Sequence, residues 1–147
     1  MRFQISDFLS ILALIVSIGS ILIQNIGVNK QLLISNINEY TKRYEDIIKN
    51  FPQVVIDDNF DINKLPIDEQ ERILRYMLIY FNLCYEEYLL FHDLKLIDEK
   101  LWSIWKNAME ASFLRPSFRQ CWIIVKEKST YPRSFINFVN KIINIKL

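Results

Sequence analysis

Glycine is nearly missing from this chain: two residues in 147, Gly19 and Gly27. Phosphate-cradling loops and dinucleotide fingerprints need several glycines at fixed spacing, so both are excluded. Histidine occurs once, and His92 has only the neighbouring Asp93 beside it. That leaves nothing at metal-ligand spacing and no support for a catalytic role. The two cysteines, Cys84 and Cys121, have no ligand spacing, flanking glycine or obvious base, and read as free buried thiols. Serines are plentiful, but none sits on a nucleophile elbow. The chain is therefore expected not to be an enzyme and to need no cofactor and no metal.

What is present is apolar bulk. Hydrophobic residues make up 51% of the chain and aromatics 14%. This composition suits a tightly packed all-α core and argues against disorder or a strand-and-turn architecture. The length fits one domain plus an appendage. The net charge of +1 is unevenly spread: residues 51–97 carry nine acids and four bases, residues 98–147 nine bases and four acids. Two oppositely charged segments attract each other within one fold, which explains the basic third without sequence-specific nucleic-acid binding.

From Phe8 to Asn29 there are 22 residues without a charge. As a helix they would extend roughly 33 Å, close to the hydrocarbon thickness of a bilayer. Residues 1–30 are accordingly expected to be a transmembrane segment; a cleaved signal peptide and a buried core helix are the rivals. Lys30, Lys42 and Arg43 follow the run and only Arg2 precedes it, so positive charge places the remainder in the cytoplasm. Within the run Ser10, Ala13, Ser17, Ser20 and Gln24 step by three and four, one stripe of a helix. Small residues let helices approach closely, so the stripe is a candidate self-association face; serines bonding their own backbone are the alternative.

Residues 31–147 read as a helical domain. Leu33, Ile37, Tyr40, Tyr44, Ile47 and Phe51 repeat at helical spacing, which predicts a stalk helix over 31–51 that pairs with its copy or walls the domain. Residues 51–66, with two prolines and four acids by position 68, predict a loop held down by Val54, Val55, Ile56 and Phe60. The acids lack a calcium loop's glycine and final glutamate. A bundle of about four helices follows. Asp68-Glu69-Gln70 opens one reaching about Leu94, with Leu74, Met77, Leu78, Phe81, Tyr85 and Leu89 on its core stripe. Asp98 is the expected N-cap of a helix to Leu114, and Pro116 and Pro132 stand at the starts of the last two.

Two charged constellations remain. Arg75, Asn82, Glu86 and Asp93 lie close to one line on the central helix. Arg115 and Arg119, four apart at a helix start, form with Arg133 a candidate cradle for an anion such as a nucleotide phosphate. The competing reading makes Glu86 and Arg119 a structural ion pair. Trp102, Trp105 and Trp122 fall on apolar stripes and are expected to anchor the core rather than stack bases.

The succession Asn82…Glu86, Leu96-Ile97-Asp98, Trp102, Trp105, RPSFRQCW (115–122), YPRSF (131–135) and Phe138 resembles an uncharacterised family of short bacterial proteins. These have one N-terminal transmembrane helix and a small helical domain with a Pro-x-Phe-Arg-x-x-Trp signature. The likeness covers roughly residues 70–140. It implies a single-pass protein of the bacterial inner membrane, and it brings no reaction. A looser similarity of layout is to membrane effectors of antiviral defence gated by a nucleotide. The expectation is a membrane-anchored interaction or regulatory module that touches the lipid bilayer, forms a homo-oligomer and meets a protein partner or a nucleotide ligand.

Overall fold

The computed structural model describes residue 31 and residues 34–144, and all regular structure among them is helical. The expected membrane span, and with it Ser10, Ala13, Ser17, Ser20 and Gln24, lies outside the described residues. Among those described, no helix is long and apolar enough to cross a membrane. The chain divides into two compact units, Met1–Lys42 and Arg43–Leu147. In the first, the described residues from 34 are helical, and the Thr41 hydroxyl donates to the Ile37 carbonyl at 2.9 Å. This helix, α1, extends to residue 50, so its part from 43 onward belongs to the second unit.

The second unit is a bundle around α2, Ile67–His92. Its first turn holds Asp68 and Glu69, where the helix dipole favours acids. No side chain caps its N-terminus; instead Gln70 Nε2 donates back to the Leu65 carbonyl at 2.8 Å. The helix ends two residues before the expected Leu94. Lys95 takes a left-handed φ of 53°, and the Leu94 and Leu96 amides turn back to the Leu89 and Leu90 carbonyls. A glycine is the usual residue at such a stop. Then come α3 (Glu99–Phe113), α4 (Pro116–Lys128) and α5 (Arg133–Asn144). Asp98 caps α3 as its sequence position requires, accepting from the Leu101 amide at 2.8 Å, and Pro116 occupies the first turn of α4.

Helix α2 packs on α3 and α4, and α3 on α4 and α5. That is why α2 buries more than one face, with Ile73, Met77, Tyr80, Phe81, Leu83, Cys84 and Tyr88 all inside. Leu78, placed on the expected core stripe, is instead exposed. The centre is aromatic. Trp122, fully buried, meets Phe81 edge-on at 5.3 Å and stacks on Tyr131 at 5.7 Å. Trp102 is also buried and stacks on Phe91, whereas Trp105 is half-buried.

The segment 51–66 contains two 3-10 turns, Gln53–Ile56 and Ile62–Lys64. Val55 and Phe60 clip it down as expected, but Ile56 points outward, 62% exposed, and Ile62 takes the inward place. Two side chains of α4 hold it. The buried Ser117 hydroxyl donates to the Val55 carbonyl at 2.6 Å. Gln120 donates from Nε2 to the Phe60 carbonyl and accepts the Ile62 amide on Oε1, at 2.7 and 3.0 Å. These bonds supply the partners that backbone groups leaving water require.

Candidate functional site

The polar line on α2 is divided between neighbours. The Asn82 Oδ1 accepts the Tyr131 hydroxyl at 2.6 Å. Glu86 takes a two-pronged bond from Arg43, Nη1 and Nη2 donating to its two oxygens at 2.6 and 2.9 Å. The expected pairing of Glu86 with Arg119 is therefore corrected: Arg43 is the ion-pair partner. Helical geometry gives the reason. Helix α4 meets α2 at Tyr80 through Phe118 and at Phe81 through Trp122. At about 100° per residue, Glu86 points roughly 120° to 140° away from those two side chains. Arg43 is among the first residues of the bundle unit, so the pair ties the chain where that unit begins.

Both side chains of the pair remain 37% and 40% exposed, so water screens it. A double-mutant cycle on Arg43→Ala and Glu86→Ala is expected to give a coupling energy of about 1 kcal/mol in thermal or denaturant unfolding. Additive losses would show that the two groups act separately.

Beside the pair stands Glu87, whose carboxyl is pushed up to about 8, first by burial and then by the Glu86 charge, with Arg43 opposing. Glu87 belongs to no sequence motif. The signal for its position was available, since it falls four residues after Leu83 and seven after Tyr80, both buried. Burial also raises the Cys84 thiol, and it brings the Cys121 thiol up to about 12. Both stay protonated and unreactive near neutral pH. His92 lies on the Tyr88 ring at 4.2 Å and edge-on to Trp102 at 5.2 Å, and its imidazole is shifted down by burial. It is held as part of an aromatic cluster. Among the described residues no group of three or more His, Cys, Asp or Glu side chains is placed to hold a metal ion.

The arginines are not gathered at one point. Arg115 is the N-cap residue of α4, Arg119 lies one turn on, and Arg133 opens α5 beyond the C-terminal end of α4. Of the three, only Arg115 borders a groove of about 510 Å³ within the bundle unit. Its walls are the end of α1 (Tyr44, Ile48), the turn from Phe51 to Ile56, and the C-terminal half of α3 (Ala108, Ala111, Ser112), with Phe118 at the base. Phe51 and Phe118 meet edge-on at 5.7 Å. A second, shallower groove of about 430 Å³ runs between α2 and α4 and mixes Glu71 with Arg75 and Lys128. The first has the composition of a ligand pocket, apolar walls with few polar groups. Comparison with known proteins adds no precedent, for no family model, curated protein or solved structure matches this chain.

Proposed function

We propose that the chain is a single-pass protein of the bacterial inner membrane, anchored by residues 8–29, whose cytoplasmic helical bundle acts as an interaction or regulatory module and self-associates. The observation that carries this reading is the run of 22 uncharged residues, Phe8 to Asn29. Such a run partitions into hydrocarbon at a length that spans it. The resemblance of residues 70–140 to short bacterial proteins of the same layout supports it. Within the bundle unit, the Arg43–Glu86 pair fixes the end of α1 to the central helix. Self-association is assigned to the stripe Ser10, Ala13, Ser17, Ser20 and Gln24, where each interhelical hydroxyl or amide bond contributes about 0.6 to 2 kcal/mol.

The full chain, expressed with a small tag, is expected to stay in the pellet when cell membranes are washed with alkaline carbonate. Release into the supernatant would overturn the anchor. Ser17→Leu with Ser20→Leu is expected to lower the oligomer fraction in detergent while leaving the chain in the pellet. An unchanged oligomer would remove the stripe as its cause.

A further inference from the structure

The groove beside Arg115 has a chemistry that selects its occupant. Its wall on α3 is built of Ala108 and Ala111, three residues apart, where larger side chains would close the space. Around it, Tyr44 and Ile48 are each 41% exposed and Ile56 62%, apolar surface that water covers at a cost. Among the twelve lining residues Arg115 alone is ionic, and no acid borders the groove. Among the described residues Arg115 makes no ion pair and no side-chain hydrogen bond. One unopposed guanidinium at the rim of an apolar trough matches a ligand with one negative charge and a hydrocarbon body. A nucleotide fits poorly, because its phosphates carry more charge than one arginine answers.

We propose that this groove binds an amphipathic carboxylate, a fatty acid, with its chain along Phe51, Phe118 and the two alanines and its carboxylate on Arg115. The planar guanidinium donates two parallel N–H bonds to the two carboxylate oxygens, a geometry a carboxylate meets and an alcohol does not. The volume of about 510 Å³ lies inside the range of roughly 300 to 1,000 Å³ typical of small-molecule sites. The site uses only residues of the bundle unit, so it stands whether or not residues 8–29 cross a membrane.

The test is photolabelling of the full chain in zwitterionic phospholipid nanodiscs with a long-chain fatty acid carrying a terminal diazirine, followed by peptide mapping. Labelling is expected in residues 43–56 and 107–118, displaced by the unmodified fatty acid and not by the alcohol of the same length. Arg115→Gln is expected to weaken it about tenfold, the loss of one charge-assisted bond pair. Ile56→Glu, at an exposed position that leaves the fold intact, sets a like charge at the rim and is expected to weaken it as well. Equal displacement by the alcohol, labelling indifferent to both variants, or labelling confined to residues 1–30 would each overturn the proposal. So would photo-cross-links from a benzophenone amino acid placed at Ile56 that join two copies of the chain, because a second chain would then be its occupant.

Discussion

Replacing Trp122 by alanine is expected to destabilise the bundle by about 3 to 5 kcal/mol, a large share of a typical total of about 5 to 15 kcal/mol. Trp122 is fully buried and sits where three helices converge. Phe81 of α2 and Phe113 of α3 meet its ring edge-on at 5.3 and 5.7 Å, and Phe135 of α5 does so at 5.8 Å. Removing the indole opens a cavity that none of these rings can fill without leaving its own contacts. Its Nε1 also donates to Asn140 Oδ1 at 3.2 Å, so the substitution strands an amide on α5. Trp122→Phe, which keeps much of the volume and loses the hydrogen bond, is expected to cost about 1 to 2 kcal/mol. Trp105→Ala, at a half-buried position, is expected to cost well under half as much as Trp122→Ala. Far-UV circular dichroism of the full chain during urea unfolding measures all three. Equal losses at Trp122 and Trp105 would show that the aromatic centre is not the source of stability.

Features set by a few neighbouring residues were legible before the fold was. Asp98 as a cap and Pro116 in a first turn depend only on backbone groups within one turn, and both stand as the sequence indicates. The all-helical class followed from the scarcity of glycine together with apolar spacing. The partner of Glu86 was different in kind. Choosing between Arg119 and Arg43 requires the rotation of α2 relative to two other helices, and that is fixed by packing of Phe118 and Trp122 on Tyr80 and Phe81. Ser117 and Gln120 were likewise silent. A serine on a helix declares nothing about a carbonyl 62 residues earlier. The groove was hidden for the same reason: Ala108 is exposed because nothing large faces it across the space beside α1 and the turn after it. Arg115 was legible as a cation of interest, but its grouping with Arg119 and Arg133 was not, since sequence spacing cannot place α5 against α4.

Glu87 gives the bundle a stability that falls as pH rises. Its carboxyl has an ordinary value of 4.5 and is raised to about 8 in the fold, chiefly because burial penalises the charged form and also because Glu86 repels it. The folded chain therefore holds a proton that the unfolded chain has released at every pH between those values. Stability is fully present below about 4.5, declines across the interval, and levels off above about 8. At about 1.4 kcal/mol per unit the whole interval would amount to roughly 4 to 5 kcal/mol, and Glu87 keeps some contact with water, which brings the expected loss to about 3 kcal/mol. The groups facing it decide the variants. Arg43 is the cation that opposes the shift, Glu86 the anion that adds to it, and the Cys84 thiol stays neutral through the interval because burial raises it too. Glu87→Gln keeps the shape and removes the titration. Its stability is expected to equal that of the natural chain near pH 5 and to exceed it by about 3 kcal/mol near pH 9, measured as the difference between two urea-unfolding series. Parallel curves would mean that Glu87 ionises freely in the fold. Arg43→Gln is expected to carry the decline from the natural carboxyl on to higher pH, because the positive charge that eases its ionisation is gone while the burial that resists it remains.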